Sequence, residues 1–466
     1  MQNQFKRFTF VYTFIRNYMK IIIAGAGDVG FHLAKLLSYE AQDTFVIDTD
    51  GDKLEYINSH LDVITKKGDA TSIKLLKEIG IDSADLLLAV TESQNTNFTV
   101  SVIGKSLGAK KTIARINNPE FLNSEGINFK DFGVDFMISP EELAADEIKM
   151  LLNESSFNDT VAFENGLFNV MGTSLSYKSP IIDLTVKEAK EKFSMVDFIT
   201  IAIKREGIAQ TIIPRGDTVY KVKDQVYFSV PNYSIKALYP IVGQEHITIK
   251  NVMILGGSSI GSKTARNLCK ENYNIKLIEK VKEKAFLLAE ELDNALVIHG
   301  DGRNIELLEE ENIREMDAFI AVTGDSETNI MSCLVAKSKG VKKTIALVEN
   351  MDYIHISQTI GIDTLINKKL IAASSIFRHI RKGEILALAN LHNIHAEVFE
   401  FEVQHNAKVT KKPISELRFP REAVFGGIIR DGKALMSFGD FQIKSGDKAI
   451  VFCLPEAIVI VEDLFK

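Results

Sequence analysis

The segment Ile21-Ile22-Ile23-Ala24-Gly25-Ala26-Gly27-Asp28-Val29-Gly30 returns, altered, as Val252-Met253-Ile254-Leu255-Gly256-Gly257-Ser258-Ser259-Ile260-Gly261, and 256 − 25 = 231 positions separate the copies. Each glycine turn is followed by an acid that ends an apolar run: Asp48 after Thr44–Ile47, and Glu279 after Ile275–Ile278, again 231 apart. Gly68-Asp69-Ala70 pairs with Gly300-Asp301-Gly302 at an offset of 232. At that offset Ala89-Val90-Thr91 and Thr96-Asn97 pair with Ala321-Val322-Thr323 and Thr328-Asn329, and Lys110–Ala114 with Lys342–Ala346. Ordered matches with one residue of drift indicate duplication. Two complete copies of a nucleotide-type unit, with no distinct substrate domain, point toward sensing rather than turnover.

The repeat continues beyond the glycine-rich units. Pro180–Leu184 resembles Pro413–Leu417, and Gly216-Asp217 with Asp224 resembles Gly439-Asp440 with Asp447. The predicted fold is α/β, with two Rossmann-like doubly wound domains, each followed by a small β-rich α+β module. The expected boundaries are an N-terminal extension over 1–18, Rossmann-like domains over 19–140 and 249–370, helical linkers over 141–158 and 371–388, and β-rich modules over 159–245 and 389–466.

The chain's 466 residues are 45% hydrophobic and 25% charged, values of a globular protein with a full core. A net charge of −7 argues against a general nucleic-acid binder. No apolar stretch approaches the roughly eighteen residues needed to span a bilayer, so membrane association is expected through a partner. Cys269, Cys333 and Cys453 form no CxxC pair and suit a reducing cytoplasm. Residues 1–18 carry Lys6, Arg7 and Arg16 and no acid; Met19 directly precedes the first strand. The segment is read as a disordered basic tail or the product of an upstream start.

The β-branched run before Gly25 predicts a strand buried on both faces, and Phe31–Leu37 has helical apolar spacing. In such a strand–turn–helix, the first glycine permits the turn, the second admits a pyrophosphate, and the third lets helix and strand pack closely. Phosphate then sits at the helix N-terminus. Asp48 lies 48 − 25 = 23 residues on, where a carboxylate accepts both ribose hydroxyls and repels a 2′-phosphate. NAD(H) or an adenine nucleotide is therefore favoured over NADP. Thr91–Asn97 follows the strand-like run Asp85–Val90, and Arg115 is positioned to reach phosphates. In the second copy Ser258 replaces the middle glycine and Leu347 stands in the place of Arg115, whereas Gly256, Gly261 and Glu279 remain and Arg303 adds a cation.

With the tandem arrangement, Gly25–Gly30, Asp48, Gly68-Asp69, Ala89-Val90-Thr91 and Arg115 in view, the chain resembles the TrkA family of bacterial potassium-uptake regulators, built from two regulator-of-potassium-conductance (RCK) units. The resemblance covers residues 19–466. It implies a TrkA-N and a TrkA-C domain in each half, NAD(H) and/or ATP/ADP as effector, and no catalytic or metal-ligating residue. It also implies a membrane-embedded potassium-translocating subunit as partner, peripheral attachment to the inner face of the plasma membrane, and a tetrameric ring of tandem RCK units. Carried over residue by residue, the first nucleotide site falls on Gly25, Ala26, Gly27, Asp28, Val29 and Gly30, then Asp48, Asp69, Thr91, Glu92 and Arg115. The second falls on Gly256, Gly257, Ser258, Ser259 and Ile260, then Glu279, Thr323 and Gly324.

Ser139–Leu152 predicts a helix with proline at its start and an apolar stripe of Leu143, Ala144, Ile148, Leu151 and Leu152. The resemblance implies a helix crossing between Rossmann units; the pattern alone equally allows a core-facing helix. Val196–Arg205 alternates apolar and polar residues, and Arg205-Glu206-Gly207 and Asp431-Gly432-Lys433 suit short hairpins. The alternative is an NAD-dependent oxidoreductase, which needs a proton donor or acceptor near the nicotinamide. The nine histidines suggest none: His32 falls in the helix after the turn, and His392-x-x-His395 supplies only two potential metal ligands. No recognition helix for DNA is evident.

Overall fold

The computed structural model describes residues 19–39, 43–122, 126–153, 157, 159–208, 210–245, 248–349, 361–380, 385–390 and 397–465. The extension 1–18 and the pair His392 and His395 lie outside the described residues. The chain divides into two compact units, residues 1–138 and 139–466.

The first unit is a six-stranded parallel sheet: β1 (Lys20–Ala24), β2 (Asp43–Asp48), β3 (Ile64–Lys67), β4 (Leu86–Ala89), β5 (Lys111–Arg115) and β6 (Phe136–Ile138), in the order β3-β2-β1-β4-β5-β6. The continuous apolar runs of β1 and β4 are buried along their length, as strands covered on both faces require. Ile22, Ala24, Leu87 and Ala89 pack with Leu76, Ile81 and Val100 of the covering helices. The order reverses between β1 and β4, and in open α/β sheets ligands bind at the carboxyl ends of strands beside such a switch.

The second unit opens with the helix Pro140–Asn153, whose first turn is capped by the Ser139 hydroxyl accepting from the Glu142 amide at 3.2 Å. An antiparallel sheet follows: β7 (Asp159–Phe163), β8 (Phe168–Ser174), β9 (Ile199–Lys204) and β10 (Gln225–Pro231), in the order β7-β8-β10-β9. Then comes a second parallel sheet of β11 (Asn251–Leu255), β12 (Asn274–Glu279), β13 (Ala295–His299), β14 (Ala318–Ala321), β15 (Lys343–Leu347) and β16 (Thr364–Ile366). Its order, β13-β12-β11-β14-β15-β16, repeats that of the first sheet. The helix Lys368–Ile380 leads to the last sheet, β17 (Ile385–Asn390), β18 (Glu397–Glu402), β19 (Ala423–Arg430), β20 (Lys433–Leu435) and β21 (Lys448–Cys453), in the order β17-β18-β21-β19-β20. The architecture is thus two Rossmann-like parallel sheets, each followed by a small antiparallel one.

The helix Pro140–Asn153 buries Ala144, Ile148, Leu151 and Leu152 in one core with Ile260, Ala265 and Leu268 of the helix Ser259–Cys269, which follows the second glycine turn. Burial contributes roughly 1.5–3 kcal/mol for each large aliphatic side chain. Polar pairs rim this seam. Lys263, itself buried, bonds Glu142; Asn267 donates to Asp146 at 3.4 Å; Lys149 pairs with Glu271 at 2.5 Å; and the Tyr273 hydroxyl donates to Asn153 at 2.7 Å. The stripe read from sequence therefore packs on the second Rossmann-like unit.

The two antiparallel sheets pack face to face through Phe163, Phe168, Val170 and Tyr227 on one side and Val398, Ile450 and Phe452 on the other. A bulge in β19 places Gly427 under Phe168, where a Cβ would lie 2.4 Å from the ring. Each module also holds a buried aspartate in a two-point grip by arginine: Asp224 by Arg205 at 2.8 and 2.7 Å, and Asp447 by Arg430 at 2.7 and 2.7 Å. These are the two aspartates that the internal repeat aligned. The Asp431-Gly432 turn has φ of 52° and 71°, as a two-residue hairpin between β19 and β20 requires.

Candidate functional site

The turn after β1 is set by backbone sterics. Gly25 has φ +114°, and a Cβ there would lie 2.9 Å from the Thr91 amide nitrogen. At Gly30 a Cβ would lie 1.9 Å from the Gly25 carbonyl oxygen, so only glycine lets the helix start this close to its strand. Gly27 differs: a Cβ there would meet nothing within 4 Å. The first and third glycines answer to packing. The second faces open space, and that is the approach a phosphate needs.

At the end of β2, Asp48 is half-buried and fixed by two backbone donors, the Ala26 amide at 2.6 Å and the Asp50 amide at 2.9 Å. Each carboxylate oxygen retains acceptor capacity toward a diol. Asp28 is exposed at the first turn of the helix Asp28–Tyr39, with Val29 and Gly30 buried behind it. Past β3, the Gly68 amide donates to the Asp48 carbonyl at 2.8 Å. Asp69 is exposed and accepts from the amide and hydroxyl of Thr71, both at 2.8 Å, which hold its carboxyl below its ordinary range.

Thr91 and Glu92 follow β4, Glu92 exposed, and Arg115 ends β5. The side chain that joins these strand ends is Asn97, fully buried on the helix Gln94–Ser106. Its Oδ1 accepts from the Thr91 amide at 2.8 Å and hydroxyl at 2.6 Å, and its Nδ2 donates to the carbonyls of Thr91 at 3.0 Å and Arg115 at 2.9 Å. Asn329 repeats the pattern with Thr323 and the Leu347 carbonyl. The recurrence of Thr-Asn at the duplication offset was the available signal, but composition gives no hint that the amide is a buried strand-end tie.

The first set of residues expected from sequence therefore gathers at the carboxyl ends of β1 to β5. In the second copy, Gly256, Gly257, Ser258, Ser259 and Ile260 form the turn after β11, Glu279 ends β12, and Thr323 and Gly324 follow β14. Gly256 has φ +100°, and a Cβ on Gly261 would lie 2.0 Å from the Gly256 carbonyl oxygen. Ser258 is the N-cap of its helix: its hydroxyl accepts from the Gly261 amide at 3.3 Å and donates to the Val322 carbonyl at 2.6 Å. Glu279 accepts from the amides of Gly257 at 2.9 Å and Val281 at 2.8 Å, with Lys284 at 3.6 Å. Arg303 bonds Asp301 at 2.7 Å and holds that carboxyl well below its usual range. The cation expected to serve the second cleft is thus engaged by its neighbour.

Among the described residues, no group of three metal-ligating side chains occurs, and no helix is long and apolar enough to cross a membrane. The TrkA-N domain model matches residues 21–140 and again 252–368, and the TrkA-C domain model matches 398–466. The Trk system potassium uptake protein TrkA of Halomonas elongata is 32% identical over 455 residues, covering 96% of this chain and 99% of that protein. That of Vibrio alginolyticus is 32% identical over 456 residues, with 96% and 99% covered. A TrkA homologue from Methanosarcina mazei is 31% identical over 457 residues, with 96% and 100% covered. All three relatives carry the name of a Trk potassium uptake protein, which favours that reading over the oxidoreductase alternative. The fold matches the solved GsuK RCK domain with a TM-score of 0.59 at 15% identity, covering 97% of this chain and 96% of that one. It matches a GsuK channel bound to NAD with a TM-score of 0.59 at 15% identity, covering 97% and 79%. Duplicated glycine turns, repeated sheet order and full-length likeness converge: the chain belongs to the TrkA family of Trk potassium uptake proteins.

Proposed function

We propose that the chain is the cytoplasmic, nucleotide-binding regulatory subunit of a Trk-type potassium uptake system, peripheral to the membrane through a potassium-translocating subunit. The observation that carries this reading is the first turn, where Gly27 leaves room for a phosphate beside a half-buried, backbone-anchored Asp48. In this reading the amides of Asp28 and Val29 at the helix start receive the pyrophosphate, and Asp48 accepts the ribose hydroxyls. Thr91, Glu92 and Arg115 border the cleft, held in place by Asn97. The ligand class is NAD(H) or ATP/ADP, with NADP disfavoured by the Asp48 charge. A channel of the same fold has been solved with NAD and also with ADP, which supports that class.

Regulation needs a ligand with different affinity for two arrangements of the protein. The helix Pro140–Asn153 begins directly after β6, the last strand of the first sheet, and is packed on the second Rossmann-like unit. A nucleotide that favours one setting of the first unit thereby acts on the remainder of the chain. A ring of tandem units would carry that setting to the transporter.

The test is calorimetry with NADH and ADP on the full chain, paired with potassium flux in vesicles holding the membrane subunit. Gly27→Val is expected to weaken nucleotide affinity at least a hundredfold and to abolish nucleotide-dependent flux, with Tm unchanged because the position is unpacked. Normal gating by nucleotide in that variant would refute the first turn as the sensor.

A further inference from the structure

On the reading that the first turn takes a nucleotide, we propose that the second does not. There Ser258 fills the space that stands open at Gly27, and Leu288 and the buried Glu279 close over the turn, so the chain binds one nucleotide. The second Rossmann-like unit serves instead as a fixed seat for the helix Pro140–Asn153.

The contrast starts at the middle position of the turn. Where Gly27 opens on empty space, Ser258 places a Cβ and a hydroxyl, and both of the hydroxyl's bonds are internal. The Gly261 amide, one of the helix-start donors an anion would use, is already capped. The acid at the end of the second strand has changed in the same sense. Asp48 is half-buried, whereas Glu279 is only 7% exposed. Lys284 lies against Glu279 at 3.6 Å, while its counterpart Lys53 leans instead toward Asp50 at 3.9 Å. Over the turn itself, a Cβ at Gly257 would lie 2.4 Å from Leu288 and 2.8 Å from the Glu279 carboxylate. The equivalent Ala26 carries a real Cβ. The side chains of the second half have therefore closed over the turn by about a methyl group, filling the space that the Ala26 methyl takes in the first.

The cations follow the same logic. Arg303 and Lys280 both bond Asp301, at 2.7 and 3.1 Å, and Leu347 is buried where the first half has Arg115. Opening this cleft would break a capped helix start, the contact of Lys284 on a buried carboxylate and two ion pairs before any ligand contact formed. The outer face of the same helix is meanwhile held by Lys263, Asn267 and the apolar seam to Ile148 and Leu151. One helix is closed at its N-terminus and gripped along its side, as a fixed anchor requires.

The test uses the full chain with NADH or ADP, read by calorimetric stoichiometry and by hydrogen exchange at the two turns. One equivalent per chain is expected, with protection at Val29 and Gly30 and none at Ile260 and Gly261. Protection at Ile260 and Gly261 in the unaltered chain would overturn the inference. Absence of protection at Val29 and Gly30 would instead overturn the first-site reading, so the two failures are separable. The pair Ser258→Gly and Leu288→Ala in one chain is expected to create a second binding event with protection at Gly261; a folded double variant without one sinks the proposal. The reciprocal Gly27→Ser, in a position with space for the side chain, is expected to weaken the first site at least tenfold. Unchanged affinity there would show that a serine hydroxyl does not close such a turn. If the double variant fails to fold, Gly27→Ser decides alone.

Discussion

The two glycine turns share a backbone and differ in what stands around it. Gly25 and Gly256 have φ of +114° and +100°, and a Cβ on Gly30 or Gly261 would lie 1.9 or 2.0 Å from the same carbonyl oxygen. The first and third glycines are thus kept by helix–strand contact whether or not a nucleotide binds. The two turns differ instead at the middle position and in the burial of the acid at the end of the second strand. At Gly27 the turn opens on empty space and Asp48 is half-buried; at Ser258 a hydroxyl fills the turn, and Glu279 is buried with Lys284 against it. A glycine motif in a duplicated protein is therefore evidence of fold first and of binding second.

The sharpest way to break this comparison is at the glycines said to be alike. Gly30→Ala and Gly261→Ala should each lower unfolding free energy by roughly 3 kcal/mol, because the obstacle is backbone that cannot swing aside. Denaturant unfolding of the two variants should give similar losses. A large loss at one turn and none at the other would show that the turns are not equivalent.

A smaller effect separates the two acids. Asp48→Ala should weaken NADH or ADP affinity by about 10- to 100-fold, as expected for losing a charged acceptor to two hydroxyls, and should lower stability by about 1 kcal/mol because the Ala26 and Asp50 amides lose their acceptor. Glu279→Gln should leave affinity unchanged and lower stability by about 1 kcal/mol, since Glu279 accepts two backbone amides beside Lys284. Calorimetry and thermal unfolding of both variants check this. Equal affinity losses would remove the distinction.

The smallest effect concerns the two antiparallel modules. Glu164, in the turn after β7, bonds Lys448 at 2.5 Å and shares a hydrogen bond with Glu400, which is 2% exposed in β18. Burial, with the Glu164 charge beside it, pushes Glu400 up to about 7. Lys448 holds Glu164 down. Glu400 therefore favours the folded pairing fully below its ordinary 4.5, and that contribution is lost as pH rises through about 7. Glu164 contributes in the opposite sense, above its ordinary value. The pairing should weaken by on the order of 1 kcal/mol between pH 6 and 8. Glu400→Gln should flatten that dependence in a pH series of thermal unfolding. An unaltered slope in the variant would assign the proton elsewhere. The matching places in the first module, Gly172 and Gln225, carry no charge, so this proton belongs to one half only.

Much of the fold is legible in the chain because its signals are local. The β-branched run before Gly25, the helical spacing after it and the Asp431-Gly432 turn each depend on a few adjacent residues. The repeat supplied the rest, since a pattern found twice constrains both copies to one strand order. The turn of the glycines and the strand-end acid Asp48 were legible, and Asn97 was not, because its four bonds join Thr91 to Arg115, which lies eighteen residues beyond Asn97 itself. Arg205 reads as a hairpin residue, and Arg430 directly precedes the Asp431-Gly432-Lys433 turn, yet each grips a buried aspartate seventeen to nineteen positions away.

By itself the sequence determined that the chain folds twice into a strand–turn–helix unit with a small sheet after each, because sterics and periodicity act between neighbours. The tertiary structure decided which apolar face covers the stripe of Ala144, Ile148 and Leu151, and whether the acid ending the second strand of each Rossmann-like sheet stands half-buried or buried. Those outcomes rest on partners such as Lys263, Lys284 and Val322. Their approach depends on packing across distant stretches of chain, which no local pattern encodes.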